Sequence, residues 1–201
     1  MTATTSTILG NPFTTRHTRP GRLVPRDAHG EPLDLGALVA EARRLHSASI
    51  VGPHGAGKTN LLANLAEGLA DAGVLAGTVR VRSRRDGMSV LRATLLAARG
   101  AILCIDGWEA LGGAWAGAIR RLSRWRDVGL LVTCHAAVGW PVLVRCSTTP
   151  TLLARLVADL PDHGGLLTAT DVAEAFTACR GDVREALYDL YDRFERRARR
   201  R

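Results

Sequence analysis

The chain has 201 residues, 46% of them apolar, and a net charge of +8. That suits one compact α/β domain plus a small appendage, with a real core to bury. The positive balance favours an acidic partner, whether nucleotide, nucleic acid or anionic surface, without choosing among them. No apolar run approaches the roughly eighteen residues of a membrane helix. The first residues lack a charged segment leading into an apolar one. Neither a membrane partner nor a secretory signal is expected.

Residues 1–30 carry Pro12, Pro20, Gly21 and Pro25 with little periodicity, so they read as an extended arm. Leu33, Leu35, Leu38, Val39, Ala42 and Leu45 recur at helical spacing and predict a helix over 33–45. A short buried strand is predicted over 48–51. A helix follows over 58–72, with Leu61, Leu62, Leu65 and Leu69 on one face and Gly73 as its stop. Residues 78–82 read as a strand, 89–98 as a helix capped by Ser89 and ended by Gly100, and 101–105 as a continuous apolar strand. Residues 115–125 read as a helix with arginine on its outer face, 130–134 as a buried strand and 142–146 as a fifth. Short apolar strands alternating with amphipathic helices predict a parallel sheet covered on both faces.

After Pro150 only helical patterns remain. One covers 151–160, with Leu152, Leu153, Leu156, Val157 and Leu160. A second covers 172–179, capped by Thr170 and Asp171. A third runs from Val183, capped by Asp182, into the arginine-rich end. The chain divides into an arm and leading helix over 1–46, an α/β core over 47–149, and a helical unit with a basic tail over 150–201.

Gly52-Pro53-His54-Gly55-Ala56-Gly57-Lys58-Thr59 matches G-x-x-x-x-G-K-[ST] in full, between a predicted strand and a predicted helix. Glycines let successive backbone N–H groups turn inward around a phosphate. The helix start, continuing through Asn60, adds unpaired donors and the positive end of its dipole. Lys58 is expected to reach the β and γ phosphates, and the Thr59 hydroxyl to ligate Mg²⁺. Of 27 basic side chains Lys58 is the only lysine. Chance would place it in the motif about one time in 27, so the match is not accidental. The loop predicts a nucleoside triphosphate site, read as ATP or ADP with Mg²⁺.

The apolar run from Ala101 to Ile105 ends in Asp106. A carboxylate at the C-terminal end of a buried parallel strand lies at the mouth of the sheet beside the phosphates, where it would hold Mg²⁺ through a water. Hydrolysis also needs a group to orient the attacking water. Glu109 is the nearest carboxylate, since Gly107 directly follows Asp106.

With these motifs the chain resembles the AAA+ superfamily of P-loop ATPases, over roughly residues 47–190. The resemblance implies a three-layer P-loop fold with about five parallel strands and a small helical lid. It implies ATP hydrolysis coupled to a conformational or assembly change, in a homo-oligomer or with a protein partner. Leu130-Leu131-Val132-Thr133-Cys134-His135 is similar to a sensor 1 strand, so Thr133 or His135 would contact the γ-phosphate or the attacking water. Gly181-Asp182-Val183-Arg184 is similar to a sensor 2 motif, which places Arg184 over the γ-phosphate from the lid. Asn11, Pro12, Phe13 and Arg16 would line an adenine pocket. Two features depart from the pattern. No glutamate follows Asp106, and residues 135–141 hold no arginine finger.

The runs over 80–85, 120–126 and 193–201 are rich in arginine and are candidate backbone contacts to DNA or another nucleic acid. Trp108, Trp115 and Trp125 lie near the middle run, with Trp115 read as core. Cys104, Cys134, Cys146 and Cys179 form no C-x-x-C pair. They read as free thiols in a reducing cytoplasm rather than zinc ligands. Two other functions fit the motifs. One is a small-molecule or nucleotide kinase, with Arg82, Arg84 and Arg85 gripping an acceptor phosphate. The other is a nucleotide-gated binding module with little turnover.

Overall fold

The computed structural model describes residues 10–161 and 164–200. The first nine residues of the arm and Arg201 of the basic tail lie outside them. Five strands form one sheet: β1 Ala48–Val51, β2 Leu75–Arg80, β3 Ile102–Asp106, β4 Gly129–Cys134 and β5 Val142–Arg145. Their spatial order is β2-β3-β4-β1-β5, and every neighbouring pair is parallel. Parallel neighbours need long crossovers. These come from α3 Lys58–Asp71, α4 Gly87–Leu96 and α5 Gly112–Arg126.

The pleat sends alternate residues to opposite faces. Ile102 and Cys104 of β3 join one apolar cluster with Leu61, Leu62, Leu65 and Leu69 of α3. Leu103 and Ile105 join the other, with Val90 of α4 and Ile119 of α5. Burial on both faces is why β3 reads as an unbroken apolar run. The helix α2 Leu35–Leu45 packs on α3 and is capped by the Asp34 carboxylate. This is a three-layer, P-loop NTPase-like fold.

The lid follows β5 as α6 Pro150–Ala158, α7 Ala169–Ala178 and α8 Val183–Ala198. It has its own core, including Leu153, Ala186, Leu190 and Phe194. Phe13 of the arm is buried in that core. Asn11 donates to the Tyr191 carbonyl at 3.2 Å and to Glu195 at 2.9 Å. Further along, Gly21 N–H donates to the Asn60 side chain, which donates in turn to the Leu23 carbonyl, both at 2.8 Å. From Asn11 onward the arm is therefore clamped to both lid and core, and it includes the short helix α1 Thr15–Thr18. Its sequence shows no periodicity because single residues, not a face, make these contacts.

Of the boundaries that differ from the sequence reading, three have a local cause. Strand β2 starts at Leu75 and ends at Arg80, with a register shift at Gly77, whose φ is 142°. Helix α4 begins at Gly87 rather than at 89. Asp86 takes its N-cap position without a side-chain cap bond, and Ser83 caps the 3₁₀ turn Arg84–Asp86 ahead of it in a reciprocal box with Asp86. Gly87 backs directly onto Trp115, and a Cβ there would lie 2.3 Å from the indole. Helix α7 begins at Ala169 because Thr168, not Thr170, boxes with Asp171. In both boxes the cap lies upstream of the residue assigned to it from the sequence. Among the described residues no helix is long and apolar enough to cross a membrane.

Asp171 is the buried charge of the lid. It accepts both Arg197 guanidinium contacts, at 2.6 and 2.7 Å, together with the Thr168 N–H and hydroxyl at 2.8 Å. The Arg197 hydrogen bonds, first among these, hold its carboxyl well below the usual range. A depressed folded-state pKa stabilises the fold above the unfolded value of about 3.9 and is lost as pH falls. In urea unfolding, stability should therefore decline below about pH 4. Asp171→Asn should be less stable by about 2–3 kcal/mol at neutral pH, with a shallower acid decline. Identical acid declines would show that Asp171 does not govern this behaviour.

Candidate functional site

The phosphate loop connects β1 to α3. Gly55 and Gly57 both have positive φ, 67° and 79°, which a side chain rarely tolerates. Gly52 lies against β5's end, where a Cβ would sit 2.4 Å from the Cys146 carbonyl oxygen. The Lys58 ammonium folds back on the loop, donating to the Gly52 carbonyl at 2.7 Å and the Pro53 carbonyl at 2.6 Å. Burial lowers its pKa, and Glu109 is the strongest of the charged neighbours opposing that shift.

At the mouth of the sheet the Asp106 carboxylate gathers three partners. Thr59 Oγ1 lies at 3.0 and 3.1 Å from its two oxygens, and Thr133 Oγ1 donates at 2.8 Å. Arg80 Nε donates at 3.2 Å. The topology explains the meeting. Strand β4 lies between β1 and β3, so Thr133 at its end falls between the phosphate loop and Asp106. Arg80 pairs with Asp106 in the β2–β3 register. The sequence reading grouped Arg80 with a basic run. A strand ending at 80 rather than 82 would have put it beside Asp106.

Thr133 Oγ1 also accepts the Gly107 N–H at 2.9 Å. Gly107 has φ 91°, and a Cβ there would lie 2.5 Å from the Val81 carbonyl oxygen. The backbone leaving β2 thus crosses the residue after Asp106. This steric fact accounts for the missing adjacent glutamate.

Glu109 sits on the 3₁₀ turn Trp108–Leu111. Its Oε1 is 3.1 Å from His135 Nδ1. The His135 ring lies 4.0 Å from that of His54 on the phosphate loop, tilted by 51°. Burial lowers the His135 pKa, and Glu109 partly opposes it. Three candidates from distant parts of the sequence therefore form one cluster. Sequence spacing carried no sign of it, because a turn, a strand end and a loop each contribute one residue.

The lid reaches the loop through Asp182. Its carboxylate caps α8, accepting the Glu185 N–H at 3.0 Å. It also covers Gly55, where a Cβ would be 1.9 Å from Asp182 Oδ1. Arg184 is exposed, its guanidinium 5.9 Å from the Tyr188 ring centroid. Pro53 and His54 are exposed, Ala56 is buried, and Asn60 tethers the arm. Of the four arm residues expected along an adenine pocket, Arg16 lines a groove of about 710 Å³ between the arm and the end of α6. Asn11 and Phe13 instead engage the lid, and Pro12 is buried between them.

The arginine runs divide in the same way. Arg193 and Arg197 are held in ion pairs with Asp171, Glu174 and Asp189. Arg120 stacks over Trp140 at 4.1 Å. Trp108 is buried, Trp115 packs against the core, and Trp125 is 70% exposed. Cys104 and Cys134 are buried, and all four cysteines are free. Burial pushes the Cys104 thiol up to about 12 and Cys146 up to about 11, so neither is a reactive thiolate.

Comparison with known proteins adds little beyond the fold. No family model matches the chain, and no curated protein matches its sequence. Among solved structures, one of C. elegans PCH-2 aligns with 81% of this chain and 67% of its own, at 13% identity and a TM-score of 0.43. That likeness is too distant to bear on activity.

The contact between Asp182 and Gly55 makes a prediction. Gly55→Ala adds a methyl where the carboxylate lies and strains a positive φ. In the nucleotide-free protein, hydrogen exchange over residues 183–187 should speed up while residues 102–105 stay protected. Unchanged protection at the start of α8 would mean that the lid does not depend on this contact.

Proposed function

We propose that the protein binds ATP with Mg²⁺ on the loop over residues 52–59, hydrolyses it, and passes the state of the nucleotide to the helical lid. The observation that carries this reading is the meeting of the Thr59 hydroxyl and the Asp106 carboxylate beside a complete phosphate loop. Both are hard oxygen donors, the kind Mg²⁺ takes together with waters and phosphate oxygens. Among the described residues no three His, Cys, Asp or Glu side chains converge as a metal site of their own. That suits a cation that arrives with the nucleotide. When bound, it would neutralise charge on the β and γ phosphates.

The chain's own residues take the remaining roles. The N–H groups of Gly55 to Thr59 cradle phosphate oxygens, and Lys58 exchanges its loop carbonyls for them. Thr59 and Asp106 would hold the cation, and Thr133 fixes the Asp106 rotamer. Arg80 neutralises Asp106. Glu109 and His135, neighbours of Lys58, would act at the γ-phosphate. In the lid, Asp182 couples α8 to the loop, and Arg184 distinguishes ATP from ADP. A group that touches only the γ-phosphate binds the two nucleotides differently, and differential affinity is what shifts a conformational equilibrium. The reading belongs with AAA+-like ATPases, whose lid follows the last core strand, as it does here. A kinase lid inserted within the core has no counterpart in this order of elements.

Titration with fluorescent ATP and ADP analogues in Mg²⁺ tests it. Lys58→Ala should weaken both by about 10–100-fold, the equivalent of about 1.5–3 kcal/mol for a charged hydrogen bond. Arg184→Ala should lose the preference for ATP while keeping most ADP affinity. Equal affinities for wild type and Lys58→Ala would remove the nucleotide from this loop.

A further inference from the structure

We infer that His135 accepts the proton of the water that attacks the γ-phosphate, held in its accepting orientation by Glu109. The inference rests on the hydrolase reading and concerns which group does the acid–base work. Three observations lead to it. First, the position after Asp106 cannot carry a carboxylate, because Gly107 is in a left-handed conformation beneath the Val81 carbonyl. Second, Thr133 is committed: its proton goes to Asp106 at 2.8 Å and it accepts the Gly107 N–H at 2.9 Å. A hydroxyl is a weak base, and its one proton is already directed at Asp106. Third, Glu109 and His135 form a pair at 3.1 Å. With its proton on Nδ1, beside the Glu109 carboxylate, His135 keeps the Nε2 lone pair as its basic site.

The surroundings favour that assignment. The groups facing His135 are Glu109 from the turn after β3, and His54 and Lys58 from the phosphate loop. Cys134 precedes it on β4, buried, with its thiol pKa raised chiefly by burial and next by Glu109. Burial, Lys58 and the adjoining His54 ring all disfavour a cationic resting imidazole, so His135 waits in its neutral, accepting form. Glu109 acts the other way, stabilising the imidazolium once the proton arrives. This carboxylate–imidazole division of labour keeps the ring in one tautomer.

The step balances without another reactant. The water oxygen forms a bond to the γ-phosphorus. The bond from that phosphorus to the β–γ bridging oxygen breaks, and ADP leaves with the electron pair. The water proton passes to His135 Nε2 and then to solvent, leaving inorganic phosphate. His135 is thus the catalytic residue, and Glu109 is a positioning residue.

Steady-state phosphate release from Mg-ATP across pH, with nucleotide affinity measured in parallel, tests the assignment. Wild-type kcat should rise with pH along a limb set by an imidazole. His135→Ala and His135→Asn should retain ATP affinity and lose about 10²–10⁴-fold in kcat, with that limb abolished. Glu109→Gln should lose less and keep the limb, displaced to lower pH. If Glu109→Gln abolishes turnover while His135→Asn keeps both rate and limb, the carboxylate is the base and the inference is wrong. If wild type turns over and His135→Ala matches it, the inference alone fails. If wild type binds ATP and releases no phosphate, the hydrolase reading fails with it.

Discussion

One carboxylate organises this molecule. Asp106 is 15% exposed, ends the strand next to the sheet edge, and is shared by Thr59, Thr133 and Arg80. Those partners come from the phosphate-loop helix, from the strand on one side and from the strand on the other. Hydrogen bonds to a charged group contribute more than neutral ones, about 1.5–3 kcal/mol each. The C-terminal ends of three parallel strands are thereby tied to the loop that gives the sheet its chemistry. The arrangement follows from sheet order. Placing β4 between β1 and β3 puts its last hydroxyl where it can address both the loop and the carboxylate.

That knot also constrains what can surround it. Thr133 fixes Gly107 by its N–H, and Val81 passes over Gly107 closely enough to exclude any side chain. On the proposed reading a water-activating group would come from elsewhere, and Glu109 and His135, already paired with each other, are placed to supply it. A departure from the familiar motif thus has a steric origin in how the chain leaves β2.

The second organising contact is Asp182 on Gly55. A helix cap in the lid doubles as the residue that rests on the phosphate loop, so the start of α8 lies in direct contact with it. The arm reinforces this coupling. Phe13 is buried in the lid core, while Gly21 and Leu23 bond to Asn60 at the start of α3. Lid, arm and core therefore meet at the same end of the sheet.

Much of the fold was legible in the sequence. Apolar runs located β1, β3, β4 and β5, while the alternating stretch over 78–82 only overlapped β2; the glycine-rich loop and the charge ending the β3 run are patterns that local sequence carries. The helix starts at Gly87 and Ala169 were misread, since the boxes from Ser83 and Thr168 lie upstream of the caps assigned to those helices. The pairings Arg80–Asp106, Glu109–His135 and Asp182–Gly55 were not legible. Each is set by strand register or by packing between units distant in sequence, which no local spacing records. The central claim is that Asp106 and Thr59 bind a divalent cation with the nucleotide. Calorimetric titration of ATP with Mg²⁺ and with chelator, for wild type and Asp106→Asn, tests it most directly. The account predicts that Mg²⁺ tightens ATP binding to wild type and that Asp106→Asn loses most of that dependence. An equal Mg²⁺ dependence in both proteins would contradict it.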